Sequence, residues 1–181
     1  MDDKQLREFS NVHLGKEIYA LFGAIELFVR HRIDLKDPLN LCAKTLFLEG
    51  IILHTRCLIE FFYFEQSAVS RRKDDVRAAD FFADPSIWEQ LRPKKPEHFV
   101  EFNKRASKEI VHLTHARTET AEIAARWDLY STTRDLIEIL QLFVDRADVR
   151  KLDSRVKNDL VSIRRRIEPI LEQSSGHRNF K

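Results

Sequence analysis

The sequence predicts an all-α fold, arranged as a single-domain bundle of about five helices. Helix breakers are scarce, with four glycines and five prolines among 181 residues, and apolar residues recur at helical spacing through several long segments. Hydrophobic residues make up 43% of the chain and charged residues 33%, a composition typical of a globular protein. A chain of this length is better suited to one domain than to two, so we treat 1–181 as a single domain.

The first predicted helix runs from near Lys4 to Arg32. Its apolar side chains fall on one stripe, as expected for a helix with one buried face. The members of this stripe are Leu14, Ile18, Leu21, Ile25, Phe28 and Val29. The segment RIDLKDP ends the helix, and Pro38 can stand in the first turn of the next one.

The second predicted helix, about Leu39 to Ser70, is apolar nearly all round, so we expect it in the middle of the bundle. We also expect Cys42 and Cys57 to be buried thiols without a disulfide, because they lie at incompatible phases of one apolar segment. One narrow polar stripe remains, spanning about 60° at about 100° per residue. It contains Thr45, Glu49, Arg56, Glu60 and Tyr63.

A long irregular loop, about residues 71–96, should connect the second and third long helices. It is expected to hold a short helical turn near Ser86–Leu91, bounded by Pro85 and Pro93. Aromatic residues are abundant here and at the end of the second helix. They either pack the loop onto the bundle or form part of a dimer face. They are Phe61, Phe62, Tyr63, Phe64, Phe81, Phe82 and Trp88.

Three more helices complete the prediction. The third covers about Glu97–Trp127, the fourth starts near Ser131, and the fifth covers about Asp153–Gln173. The basic run Arg164–Arg166 is interpreted as a solvated face. Residues 174–181 are expected to be a frayed tail.

Charge and hydropathy restrict the class of protein. A formal net charge of +2, from 31 basic and 29 acidic residues, does not indicate general nucleic-acid binding, so any basic surface must be local. The N-terminus MDDKQLREFS lacks an apolar signal region, and charged residues interrupt the most apolar stretch, Leu46–Phe64. We therefore expect a cytoplasmic protein that does not engage a membrane.

The stretch NKRASKEIVHLTHAR, residues 103–117, holds the candidate functional residues. On an α-helix, Arg105 and His112 lie about 20° apart in azimuth and two turns apart, at the edge of the apolar stripe. An arginine there can bind a phosphate, and a histidine there can have a tuned pKa. Lys108 and His115 share that side and are candidate phosphate neighbours.

The polar stripe of the second helix is expected to face this pair, since buried charges need partners. Arg56 and Glu60 would then support Arg105 and His112 as orienting residues. The alternative is structural: Arg105 pairs with a glutamate of the second helix, and His112 is a histidine at the core edge.

The Arg105-x6-His112 spacing resembles the Arg-x4–6-His motif of the HEPN superfamily, the higher eukaryote and prokaryote nucleotide-binding domains. The layout of residues 40–145 is similar too: an apolar helix reading RCLIEFFYF, an irregular DDVRAADFF loop, then the motif helix. Many ribonuclease members carry a small polar residue directly after the arginine, where this chain has Ala106.

The resemblance implies a metal-independent endoribonuclease or RNA-binding component of a bacterial defence or toxin system. It implies a homodimer, with RNA as substrate and an antitoxin or another defence protein as a possible partner. By the same resemblance, Arg105 would hold the scissile phosphate, and His112 would transfer protons as the ribose 2′-hydroxyl attacks.

Two rival functions remain open. Glu109-x-x-His112 has the spacing of di-iron bundle ligands, but no second such motif exists, and His54 lies off the phase needed to join His112 and His115. We therefore predict no metal and no cofactor. The other rival is a non-enzymatic helical interaction module, in which the Arg/His/Glu network is structural.

Overall fold

The computed structural model describes residues 1–30, 37–64, 75–111 and 127–175. Every regular element in these ranges is helical and none is a strand, which confirms the all-α prediction. The described ranges contain seven α-helices, two π-helical turns and one 3-10 turn. None of the described helices combines the length and apolarity needed to cross a bilayer.

The N-terminal helices form the first wall of the bundle. Helix α1 (Asp3–Phe9) starts at a capping box between Asp2 and Gln5, and a π-helical turn over Ser10–Leu14 leads into α2 (Gly15–Arg30). Helix α3 (Pro38–Phe62) starts with its proline in the first turn. Helices α2 and α3 pack against each other more extensively than any other pair of described elements.

Helix α3 ends at Phe62, so the predicted end at Ser70 is wrong; residues 65–70 lie outside the described ranges. Tyr63 leaves helical geometry at φ −121° and ψ 39°. The carbonyl oxygen of Phe62 accepts hydrogen bonds from Trp88 Nε1 at 3.0 Å and from Arg92 Nη1 at 3.1 Å. These side-chain donors replace the backbone partners that a continuing helix would supply.

The part of the predicted loop that is described, residues 75–96, is packed onto the bundle. A 3-10 turn (Ala78–Phe81) precedes α4 (Pro85–Leu91), which confirms the short helix between Pro85 and Pro93. Phe81, Phe82 and Trp88 are buried. These aromatic residues therefore pack the loop against the bundle and do not form an exposed face.

The remaining elements are α5 (Glu97–Arg105), a π-helical turn (Ala106–Val111), α6 (Leu129–Arg146) and α7 (Ser154–Ser175). The predicted end of the third helix, about Trp127, stays a prediction, because residues 112–126 lie outside the described ranges; Trp127 and Asp128 themselves are not helical. The carboxylate of Asp128 accepts from the Ser131 backbone N–H at 3.0 Å and caps α6. Residues 112–126 and 176–181 lie outside the described ranges.

Helix α3 is not enclosed by the bundle, contrary to the prediction. Its buried side chains lie on one face, and Leu39, Leu46 and Leu53 on the opposite side are 79%, 61% and 41% exposed. Cys42 and Cys57 are free and exposed, so the predicted buried thiols are wrong. A helix that is apolar nearly all round can be central in a bundle or can expose an apolar outer face, and the hydrophobicity of α3 alone does not distinguish the two.

The basic run of α7 is also more than a solvated face. Arg164 binds Glu168 on its own helix and Gln141 of α6, with nitrogen–oxygen distances of 2.7 Å and 3.1 Å. Arg166 Nη1 lies 3.1 Å from Glu26 Oε2 of α2. Two of the three arginines therefore connect α7 to its neighbours.

Candidate functional site

The guanidinium of Arg105, at the end of α5, lies over an aromatic ring. Its guanidinium carbon lies 4.1 Å from the centroid of the Trp127 ring, well within the range of a cation–π contact. Trp127 is buried, and its ring packs edge-on against Phe102 with centroids 4.7 Å apart. The indole therefore contacts the core through Phe102 and contacts the guanidinium of Arg105 through its ring face.

The sequence of α5 explains this placement. Phe99, Phe102 and Ala106 are buried and fix one face of the segment to the bundle. Arg105 directly precedes the fully buried Ala106, so the arginine side chain leaves the helix at the edge of the core and is partly exposed. A polar residue at position 106 would be buried here, which gives a physical reason for alanine.

A π-helical turn begins immediately after Arg105, at Ala106–Val111. Its hydrogen bonds span five residues, so each residue turns the chain by less than in an α-helix, and such turns are frequent at functional sites. The 20° relation between Arg105 and His112 assumed α-helical geometry throughout and does not apply to this turn. His112 and His115 lie outside the described residues, so their pairing with Arg105 stays a prediction.

Basic side chains flank Arg105. Lys104 is exposed and lies 3.9 Å from Glu101 on its own helix, and Lys108 is exposed on the π-helical turn. We call this group of Lys104, Arg105 and Lys108 the basic cluster; it is a local basic surface in a chain whose net charge is only +2. A phosphate at this position would meet several positive charges close together.

Arg56 and Glu60 were expected to face the motif helix as buried charges. In the structure Arg56 Nε donates to Glu60 Oε1 at 2.8 Å, one turn further along α3. The two side chains are 28% and 51% exposed, so the premise that they need a buried partner is wrong. Their predicted supporting role toward Arg105 and His112 is untested, and the contact they make is with each other.

His54 and Glu17 form a side-chain hydrogen bond between two helices that the helical pattern does not predict. His54 Nδ1 lies 2.7 Å from Glu17 Oε2, joining α3 to α2. Both side chains are about one-third exposed, so the contact lies at the rim of the interhelical surface. Sequence spacing could not reveal it, because the partners are 37 residues apart on different helices.

A surface depression of about 370 Å³ lies between the end of α3, α4, the start of α5, and α6. Tyr63, Asp135 and Glu138 supply its polar groups. Burial is the main cause that raises the pKa of Tyr63 to about 12. The two carboxylates would repel a phosphate, so this depression does not suit a polyanion.

No group of three or more potential metal ligands occurs among the described residues. Glu109 and His112 of the rival di-iron spacing are outside the part whose side chains are described. In comparisons with known proteins, no family model matches the chain, and no curated protein or solved structure is significantly similar to it.

Proposed function

We propose that this chain is an RNA-directed protein of the cytoplasm, acting as a metal-independent endoribonuclease with Arg105 and His112 as its catalytic residues. The supporting observation is the position of Arg105, held by Trp127 at 4.1 Å within the basic cluster. The cation–π contact holds the guanidinium over the ring, and a planar guanidinium binds phosphate oxygens through the N–H groups in its own plane. Trp127 is too buried to stack on a nucleobase, so its role is to orient Arg105.

The proposed reaction needs no cofactor. The ribose 2′-oxygen attacks the adjacent phosphorus as its proton leaves, the bond from phosphorus to the 5′-oxygen breaks, and a cyclic phosphate remains. Arg105 stabilises the charge that develops on the phosphate oxygens. His112 transfers the protons. The resemblance of Asn103–Arg117 to the HEPN motif supports these roles, with a homodimer and a defence or toxin setting as its further implications.

The experiment compares cleavage of bulk RNA in chelator by wild type and three variants. Arg105→Ala and His112→Ala should each lower the rate by about a hundredfold or more, the size of effect seen when one charge-stabilising donor is removed. Arg155→Ala is the matched control, because it removes an exposed arginine of α7 that lies outside the basic cluster, and it should leave the rate unchanged. Equal loss in all three variants, or full activity in His112→Ala, would contradict the proposal.

A second function, a non-enzymatic interaction module, is favoured by the exposed leucines of α3. If wild type does not cut RNA, and Arg105→Ala lowers thermal stability without changing RNA affinity, the Arg105–Trp127 contact is structural. The interaction module would then be the better description.

A further inference from the structure

An aligned row of apolar and small residues lies along the outer side of α3. At about 100° per residue its members fall within about 80° of one another, opposite the buried face of the helix. We call this row the outer stripe. It consists of Leu39, Ala43, Leu46, Gly50, Leu53 and Cys57. It spans roughly 27 Å along the helix, at about 1.5 Å per residue.

The outer stripe repeats every seven residues. Leu39, Leu46 and Leu53 occupy one position of the repeat, and small residues occupy the other. The small residues are Ala43, Gly50 and Cys57. Two positions spaced by alternating steps of three and four residues form the contact seam of a coiled-coil pair of helices. The periodicity therefore suits packing against another helix along the whole seam.

Packing within the described chain does not account for this stripe. A Cβ atom placed on Gly50 would meet nothing within 4 Å, so no intrachain contact requires glycine there. Glycine inside a helix costs about 1 kcal/mol relative to alanine. Single exposed leucines are ordinary on protein surfaces, but a contiguous apolar row marks an interaction site.

The exposed apolar surface of the described residues is concentrated in this part of the fold. Of fourteen exposed large hydrophobic side chains, eight lie between Val12 and Leu53, on α2, α3 and the turn before α2. The other six are scattered from Met1 to Val161 over the remaining elements. Exposed apolar side chains are therefore more frequent in the described residues up to Leu53 than in those that follow.

We propose that a second copy of this chain covers the outer stripe, with the two α3 helices antiparallel about a two-fold axis near Ile51 and Ile52. In this register Leu53 packs on Gly50 of the second copy, and Leu46 packs on its Cys57. Leu53 and Leu46 thus each meet a small residue, which is the self-complementarity that a two-fold interface requires, and Ala43 faces the exposed Glu60 of the second copy at each end of the seam.

The charged residues beside the outer stripe also favour a second copy of this chain as its partner. Glu49 and Arg56 lie seven residues apart on one edge of the stripe, as the flanking positions of a coiled-coil repeat. In the antiparallel register, Glu49 of each copy lies beside Arg56 of the other, giving two equivalent ion pairs. In a parallel pairing the two copies would carry Glu49 and Arg56 on opposite sides of the interface, so these ion pairs would not form.

The inference does not rest on the proposed nuclease activity, and its test measures mass and not cleavage. Light scattering after gel filtration should give a dimer for wild type at high micromolar concentration. Leu53→Glu should weaken self-association at least tenfold, and so should Gly50→Arg, whose side chain points into open space in the monomer. The matched control is Val161→Glu on α7, since Val161 is 42% exposed and Leu53 is 41% exposed.

Wild type that is monomeric at every concentration would overturn the proposal, because a segment of the chain itself or a different protein would then be the occupant. So would a dimer that survives both Leu53→Glu and Gly50→Arg with an unchanged dissociation constant. Circular dichroism and melting of each variant verify that the monomer is folded.

Disulfide trapping tests the antiparallel register. Leu46→Cys combined with Cys42→Ser leaves thiols at positions 46 and 57, which lie about 16 Å apart on one helix and cannot join within a chain. Oxidation should give a covalent dimer through 46 and 57 of opposite copies. Adding Cys57→Ser should abolish it. A covalent dimer that persists without Cys57 would indicate parallel helices and overturn the register.

Discussion

Trp88 Nε1 lies 3.0 Å from the carbonyl oxygen of Phe62, and this contact joins α4 to the last residue of α3. The indole is buried, and its ring is stacked on Phe82 with centroids 5.5 Å apart. Since Arg92 donates to the same oxygen, the end of α3 is held by two side chains from the following segment. The carbonyl group of Phe62 and the packing of Trp88 on Phe82 therefore fix the position of α4 against the end of α3.

Trp88→Phe should lower the free energy of unfolding by about 2 kcal/mol, because it removes one hydrogen bond and leaves a small cavity. Urea denaturation followed by circular dichroism measures the change. Ile87→Ala is the control: Ile87 is adjacent but exposed, so its effect should stay within about 0.5 kcal/mol. A loss in Trp88→Phe no larger than in the control would show that the indole does not anchor α4.

Tyr63 should make stability decrease at alkaline pH. Burial raises the pKa of its phenol to about 12, so the folded state favours the neutral form more than the unfolded state does. The contribution is fully present below the unfolded pKa of about 10 and is lost as pH rises from there toward about 12. Denaturation across this range should show a steeper decrease for wild type than for Tyr63→Phe. Parallel pH profiles would contradict the assigned pKa, and ultraviolet titration should show one of the three tyrosines ionising late.

The helices with one buried face could be predicted closely from the sequence. Of the six residues predicted to form the apolar stripe of the first helix, Leu14, Ile18, Leu21 and Ile25 are buried, Phe28 is partly buried, and Val29 is exposed. Pro38 and Pro85 each begin a helix, because proline lacks the N–H that the first turn does not need. These features are local, so the sequence contains the information.

The errors concern contacts that are not local. The end of α3 depends on Trp88 and Arg92, about thirty residues away, and no helical periodicity encodes them. Leu46 and Leu53 looked like core residues because hydrophobicity does not tell which side of a helix is covered. The π-helical turn after Arg105 was not expected either, since the apolar spacing there suits an α-helix. For the candidate site, the sequence identified Arg105 but not its contact with Trp127, which is 22 residues away.

Gly23→Ala should stabilise the folded monomer. A Cβ atom at position 23 meets nothing within 4 Å, so alanine adds helix propensity without a clash, for a gain of up to about 1 kcal/mol. Urea denaturation should be measured in the Leu53→Glu background, so that self-association does not contribute. Ala20→Gly, one turn earlier on α2, is the reciprocal control and should cost a similar amount. If Gly23→Ala is destabilising, position 23 has a close neighbour.

Trp127 should affect RNA binding through Arg105 alone. Phenylalanine keeps an aromatic face but a weaker cation–π partner, and leucine removes the face, so the affinity for single-stranded RNA should fall from wild type to Trp127→Phe to Trp127→Leu. Fluorescence anisotropy measures the dissociation constants, and melting detects any loss caused by the contact between Trp127 and Phe102.

A double-mutant cycle separates this mechanism from general destabilisation. If Trp127 only orients the guanidinium, Trp127→Leu should have almost no further effect on RNA affinity once Arg105 is alanine. If instead Trp127→Leu weakens RNA binding by the same factor in both backgrounds, the two residues act independently. The indole would then not be the group that orients Arg105. The contact between Arg105 and Trp127 would no longer support an RNA-directed function.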